Sequence, residues 1–355
     1  TQSRSSAASD VYKRQLYNGN KRLKTIQQEK LNNQMAELDV ATSENNIQES
    51  IAQVYIQILY AAESVKVNEN TLQVSIAQRD RGQELLNAGS IAKSDLAQLE
   101  AQVSTDRYQL VTAQATLEDY KLQLKQLLEL DGENEMNIYL PTLSDENVLA
   151  PLPTKRDVYI SALSLRPEIE ASKLNVEASE LGINIAKSSY FPTISLSAGI
   201  GTNHTSGSDF TFGEQVKNGW NNSIGLSVSV PIFNNRQTKS AVQKAKLQYE
   251  TSMLSLLDEQ KALYKTIESL WLDANSAQQR YAAANEKLKS TQISYELISE
   301  QFNLGMKNTV ELLTEKNNLL QAQQEQLQAK YMAILNTQLL KFYHCLLYTS
   351  DAADD

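Results

Sequence analysis

Between Arg236 and Leu304 the chain contains neither glycine nor proline, the two residues that most readily interrupt a helix. Within that run Leu263, Ile267, Leu270, Ala274, Ala277, Tyr281, Ala284 and Leu288 follow one another in alternating steps of four and three. This spacing lines them along one edge of a helix, as in the seam of a coiled coil. At 1.5 Å per residue the predicted helix is on the order of 100 Å long. A helix of that length buries a narrow apolar edge only against another long helix. Gly305 interrupts the run, and from Asn308 to about Phe342 a second one returns, with Leu313, Leu320, Leu327 and Ile334 seven apart. Residues 234–344 therefore read as a long antiparallel helical hairpin with its turn near 303–311.

The first third of the chain repeats this plan. From Lys21 to Ala88 only Gly82 interrupts a helix-compatible run, with Ile47, Val54, Ala61 and Ile51, Ile58, Val65, Leu72 in two rows at spacing seven. Asn87-Ala88-Gly89-Ser90 is a break in which Gly89 suits a left-handed helix C-terminus. Ser94 and Asp95 suit the start of the returning helix, whose row is Leu96, Val103, Leu110, Leu117 and Leu124. Gly305 lies 216 positions after Gly89, and that single offset also pairs Ile51 with Ile267, Ala61 with Ala277, Asn87 with Asn303, and Leu124 with Leu340. An internal repeat of this length decides the architecture before any local detail does. It assigns 16–130 to a first hairpin, with its turn near 87–95.

Between the hairpins the period changes from 3.6 to 2. Ile194, Leu196, Ala198 and Ile200 alternate with Ser195, Ser197, Gly199 and Gly201; Ile224, Leu226, Val228 and Val230 alternate with Ser223, Gly225, Ser227 and Ser229. Such alternation is the signature of strands. Serine and glycine alone on the polar face suit the interior of a closed barrel. Each run has about 9–11 residues, enough for a tilted strand to cross a bilayer. Tyr190, Phe191, Trp220 and Phe233 stand at the ends of the runs, where interfacial aromatics belong. The stretch 191–233 is thus read as a β-hairpin crossing a membrane, with 202–219 as its external loop. A soluble hairpin with one buried face is the alternative. The helix before it, 166–190, opens on Arg166-Pro167-Glu168, with proline and an acid where the first helical turn favours them. Residues 131–165, with Pro141, Pro151 and Pro153, form a linker of small elements.

Composition closes several routes. The net charge of −9 over 355 residues argues against nucleic acid as a partner, which demands a basic face. No apolar run reaches the roughly 18 residues of a membrane-spanning helix, so entry into a membrane falls to strands. The single cysteine, Cys345, excludes an internal disulfide or a thiolate metal site. His204 and His344 have no partners at usable spacing for a triad or a metal. Neither enzymatic activity, cofactor nor metal is expected. Residues 1–15 and 345–355 share no pattern with what they abut, and read as tails not native to the fold. Since Tyr17-Asn18 falls on Phe233-Asn234 under the offset, a further strand pair is expected upstream.

Taken in order, RPEI (166–169), SSYFPTISLSAGIG (188–201), SIGLSVSVPIFNNR (223–236) and the turn sequences LLNAGSIAKSDL (85–96) and QFNLGMKNTVELL (301–313) resemble the TolC-like outer-membrane efflux protein family. The resemblance covers about 16–344. It implies a mainly α fold with a small β part, in which helical hairpins form an α-barrel and the strands join a trimeric twelve-stranded barrel. It implies an outer-membrane duct with a long periplasmic extension, passively conducting small molecules such as drugs. Its partners would be a homotrimer's other copies, a periplasmic adaptor, an inner-membrane pump and outer-membrane lipid. Residues 131–165 would belong to an equatorial belt. The turns with Gly89, Gly305, Asn87, Asn303, Lys93 and Lys307 would meet the adaptor, and Asp95 and Glu311 would line a constriction, although the family's second acid is Thr314 here. A protein-secretion conduit of the same fold and a soluble coiled-coil scaffold remain the competing readings.

Overall fold

The computed structural model of the chain describes residues 5–130, 138–139 and 148–344. Its elements are β1 (Ser5–Asn18), α1 (Lys21–Asn87), α2 (Lys93–Leu127), α3 (Lys155–Leu165), α4 (Pro167–Lys187), β2 (Thr193–Thr205), α5 (Phe212–Asn218), β3 (Asn221–Ser229), α6 (Gln237–Asn303) and α7 (Thr309–His344). The expected mixture of long helices and a small sheet is what the chain adopts. α1 and α6 each have 67 residues. Lys21 and Gln237, Asn87 and Asn303, and Lys93 and Thr309 are each 216 positions apart, the offset of the two turn glycines. The backbone repeats as well: φ is +65° and +62° at Gly19 and Asn20, and +50° and +62° at Asn235 and Arg236.

Two compact units divide the chain, with boundaries inside α1 and α6: Thr1–Val40 with Pro167–Gln260, and Ala41–Arg166 with Lys261–Asp355. The first unit holds an antiparallel sheet of order β1-β2-β3. β2 and β3 pair Ile194 with Val228, Leu196 with Leu226 and Ala198 with Ile224, the register that keeps like faces together. β1, from Ser5, adds a third strand to the two expected at 191–233. β1 pairs with the free edge of β2, Tyr12 opposite Ala198 and Arg14 opposite Leu196, with a register shift between Gln15 and Tyr17. The physical reason is that an open strand edge offers a row of N–H and C=O groups to any extended segment. The side chains of β1 do not continue the pattern, because Asp10, Tyr12 and Arg14 stand where the neighbouring strands carry apolar residues. The 202–219 loop is also more ordered than expected, since β2 continues to Thr205 and α5 fills Phe212–Asn218.

α4 packs on the first parts of α1 and α6 in this unit. Ile169 and Ala178 are buried, Gln28 donates to the Ala178 carbonyl at 2.9 Å, and the Ser179 and Ser252 hydroxyls meet at 2.8 Å. Ala171, Leu174, Leu181 and Ile185 of α4, at helical spacing from Ala178, are only half-buried.

The second unit carries the larger core, in which Leu59 of α1, Ala277 and Tyr281 of α6, and Leu327, Tyr331, Ala333 and Ile334 of α7 surround Val148. Of the seam predicted for α6, Leu263, Ile267, Ala274, Ala277 and Tyr281 are buried, and Leu270, Ala284 and Leu288 half-buried. Ile47 departs from its row and is 49% exposed. The described part of 131–165 lies along α6: Trp271 donates to the Pro153 carbonyl at 3.0 Å. Gln278 reaches the carbonyls of Val148 and Ala150 at 3.0 and 2.8 Å, and Lys155 pairs with Glu268 at 3.0 Å. Pro141 and the tail 345–355 lie outside the described residues.

Candidate functional sites: sheet faces and hairpin turns

The sheet leaves its apolar face exposed, unlike a soluble hairpin. Ile224, Leu226 and Val228 are 84, 65 and 58% exposed, and Leu196 and Ile200 of β2 are exposed beside them, forming one continuous apolar surface. The opposite face is small: Ser195 is buried and Ser197 half-buried, while Ser223, Ser227 and Ser229 of β3 are also exposed. Ser197 Oγ donates to the Gly225 carbonyl at 3.2 Å, and a Cβ added at Gly199 would stand 2.8 Å from Ser223 Oγ. A side chain there would oblige the exposed Ser223 hydroxyl to turn away.

All four aromatics selected from the sequence are exposed. Tyr190 and Phe191 precede β2 and Phe233 follows β3, so these three share one end of the antiparallel pair; Trp220, just before β3, stands at the other. Phe210 and Phe212 are also exposed near the Trp220 end, and His204 packs against the Phe212 ring at 5.2 Å. Sequence reasoning missed these two phenylalanines because they lie in the polar loop, outside any periodic run.

The two hairpin turns are built alike. Gly89 and Gly305 have φ of +74° and +75°, with nothing within 4 Å of a Cβ at either, so backbone conformation alone calls for glycine. Gly89 and Ser90 donate to the Leu86 and Leu85 carbonyls at 2.9 and 2.8 Å; Gly305 and Met306 donate to Phe302 and Gln301 at 2.9 and 2.8 Å. These paired bonds satisfy the last carbonyls of α1 and α6, a Schellman ending. Asn87 and Asn303 are the exposed last residues of these helices, and Asn87 accepts a bond from Gln83 at 3.0 Å.

Asp95 and Glu311 occupy the first turns of α2 and α7. Asp95 Oδ2 accepts the Ala92 N–H at 3.0 Å. Glu311 Oε2 accepts the Asn308 N–H at 3.2 Å, while Asn308 Oδ1 accepts the Glu311 N–H at 2.9 Å, a reciprocal cap. Lys307 also pairs with Glu311; the ion pair is thus made within one turn, not between the two turns. The bond from Lys307 and that from Asn308 hold the Glu311 carboxyl below the usual carboxylate range. Lys93 is exposed. Within the chain, both acids act as helix caps.

A site that the sequence reading passed over lies on the buried face of α7. Lys316 contacts Asp106 of α2 and Ser75 of α1, and Ser75 in turn donates to Asp106. Gln102 donates to the other Asp106 oxygen at 2.9 Å. Burial pushes the Lys316 ammonium below the usual lysine value, and Asp106 opposes that shift. The available signal was a lysine four residues before Leu320 and an aspartate three residues after Val103, opposite charges on two otherwise apolar stripes. Among the described residues no cluster of histidine, cysteine and carboxylate side chains is arranged to hold a metal, and no helix is long and apolar enough to cross a membrane.

Long helical hairpins with glycine-ended turns, together with a small antiparallel sheet that exposes an apolar face, define a mainly helical class with a small β part. The chain belongs to the outer membrane efflux protein family, whose profile matches residues 158–342. It is 24% identical over 294 residues to the outer membrane efflux protein BepC of Brucella suis, covering 82% of this chain and 61% of that one. To the outer membrane protein TolC of Escherichia coli it is 24% identical over 296 residues, 80% of this chain and 58% of that one. The alkaline protease secretion protein AprF of Pseudomonas aeruginosa is 21% identical over 318 residues, 87% and 65%. The chain thus spans about six-tenths of the length of these curated relatives. Among solved structures, CusC matches with a TM-score of 0.80 at 17% identity, covering 97% of this chain and 82% of that one. The outer membrane protein VceC of Vibrio cholerae gives 0.78 at 15%, covering 97% and 87%. At such identities the structural likeness speaks for the fold.

Proposed function

We propose that the chain forms part of a passive exit duct in the outer membrane of a Gram-negative bacterium. The duct would be a homotrimer whose hairpins extend into the periplasm to meet an adaptor and an inner-membrane pump. The observation that carries this reading is the outward apolar face of β2 and β3 backed by a face of serine and glycine. A bilayer makes such an exposed surface favourable, and a barrel interior suits so small and polar a lining. The helices supply no chemistry. Their polar faces would wall a solvated passage, and energy for export would come from the pump.

The turns at Gly89 and Gly305 would dock on the adaptor, with Asn87, Asn303, Lys93 and Lys307 at the contact. Asp95 and Glu311 would ring the passage where copies converge. Capping and ring formation are compatible, because a three-fold axis turns each capping acid into three. Small molecules such as drugs are the cargo this reading favours. A protein-secretion conduit is the second reading, supported by the likeness to a protease secretion protein.

The test is planar-bilayer conductance of the purified protein carrying the further strand pair expected upstream. Discrete channels whose conductance changes in Asp95→Asn and Glu311→Gln variants support the duct and the acidic ring. Channels indifferent to both substitutions retain the duct without the ring. A soluble, non-conducting coiled coil would hand the case to the scaffold reading.

A further inference from the structure

β2 outlasts its pairing with β3. The two strands pair from Thr193 with Ser229 to Gly201 with Asn221, while β2 continues to Thr205. The short helix α5 takes up the overhang. Thr202 Oγ1 donates to the Val216 carbonyl at 3.1 Å, and the Thr205 N–H donates to Gln215 Oε1 at 2.8 Å. Gln215 Nε2 in turn donates to the Phe210 carbonyl at 2.8 Å, and Thr211 and Glu214 close a capping box on the first turn. The loop is thus built onto the end of one strand.

Parity decides on which side of that strand it is built. Successive side chains leave opposite faces, and from Leu196 to Thr205 β2 pairs with β1 without a register shift. Leu196, Ala198, Ile200, Thr202 and His204 therefore share one face, of which the first three belong to the exposed apolar surface. Thr202 bonds α5, and His204 sets its ring 5.2 Å from that of Phe212. Asn203, of opposite parity, meets the turn back into β3 instead: a Cβ at Gly219 would stand 2.4 Å from Asn203 Oδ1. α5 accordingly lies on the apolar side of the strand end, not across the serine and glycine face.

The apolar surface stops one step short of the helix. Ile200, 53% exposed, pairs with Asn222, and the next residues on its face are Thr202 and His204. At about 3.3 Å per residue along a tilted strand, His204 stands roughly 10 Å beyond Ile200. At this level the surface turns aromatic: Phe210, Phe212 and Trp220 are 60, 67 and 56% exposed. Aromatic side chains gathered just past an apolar band match the layer in which hydrocarbon gives way to lipid headgroups.

We propose that α5 is an interfacial helix seated in the headgroup layer of the lipid bilayer, with Phe210 and Phe212 dipped toward the acyl chains beside the strand wall. This inference rests on the reading that the apolar face of β2 and β3 meets lipid. It makes the loop part of a collar around the outside of the wall, not a roof over the passage.

The test uses the full-length protein in phosphatidylethanolamine–phosphatidylglycerol vesicles, with Trp220→Phe and Trp271→Phe removing the native indoles and Phe212→Trp adding one. The emission is expected to be quenched at least twofold more by lipid carrying a headgroup nitroxide than by iodide in solution. Phe210→Trp is expected to behave alike, and Leu226→Trp, within the apolar face, to respond to lipid labelled deep in its chains. Iodide quenching without lipid quenching at both loop positions, beside a lipid response at Leu226, overturns the helix placement and leaves the strands in lipid. No lipid response at any of the three overturns both. In single-channel recordings Phe210→Ser combined with Phe212→Ser is expected to leave conductance unchanged; a twofold rise would set α5 over the mouth and overturn the collar.

Discussion

Lys316 and Asp106 form an ion pair whose side chains are 4% and 1% exposed, joining helices that lie 210 residues apart in the chain. Desolvating two charges costs several kcal/mol each, and their attraction offsets that cost only while both are present. Lys316→Met alone leaves the Asp106 carboxylate buried without its cation, and a loss of about 3–5 kcal/mol is expected. The double variant Lys316→Met with Asp106→Leu is expected to recover most of it. Urea denaturation of the two singles and the double gives the coupling directly; simple additivity contradicts the buried-pair account.

The turn glycines face a different kind of cost. At φ near +75° a side chain loses about 1–2 kcal/mol to local strain, and the open space around both positions leaves no clash to add. Gly89→Ala and Gly305→Ala are each expected to destabilise the helices by about 1 kcal/mol. Because the two turns are alike, the effects should agree closely in thermal unfolding followed by circular dichroism.

Lipid exposure of β3 is tested by charge. Leu226→Lys places an ammonium near the middle of the outward face, where about 2–4 kcal/mol of membrane stability is expected to be lost. Ser227→Thr, on the other face, should cost far less. Flotation of the chain with phospholipid vesicles separates the two, and equal partitioning of both variants would contradict the assignment of faces.

The two tryptophans are Trp220 and Trp271. In a Trp271→Phe variant the emission reports Trp220 alone. Placement at an interface predicts a blue shift on adding vesicles, with quenching strongest for brominated lipids labelled near the headgroups. Unchanged emission would place Trp220 in water.

Glu311 predicts an acid limb. Its carboxyl is held below its ordinary value in the folded chain by Lys307 and the Asn308 N–H. Its contribution is therefore present above the usual carboxylate pKa and disappears as pH falls through the lowered one. Glu311→Gln should flatten stability against pH below about 4.5, the region where an unfolded carboxylate starts to take up protons, and change little at neutral pH. A curve parallel to that of the unaltered chain would deny the cap its electrostatic part.

The long helices were legible because nothing in Lys21–Asn87 or Gln237–Asn303 competes with them: no proline, a single glycine at Gly82, and apolar rows at helical spacing in each. The turns were legible because Gly89 and Gly305 mark the one backbone conformation that other residues avoid. The faces of β2 and β3 follow from period two alone, since the pleat sends neighbours to opposite sides. Tertiary structure decided what depends on backbone edges and on partners distant in sequence. β1 joined the sheet through hydrogen bonds indifferent to its side chains. Ile47 kept its heptad spacing yet stayed exposed. Lys316, Asp106 and Ser75 carry no local mark of kinship, because a charge is placed on a buried stripe only by the opposite charge that another helix brings to it.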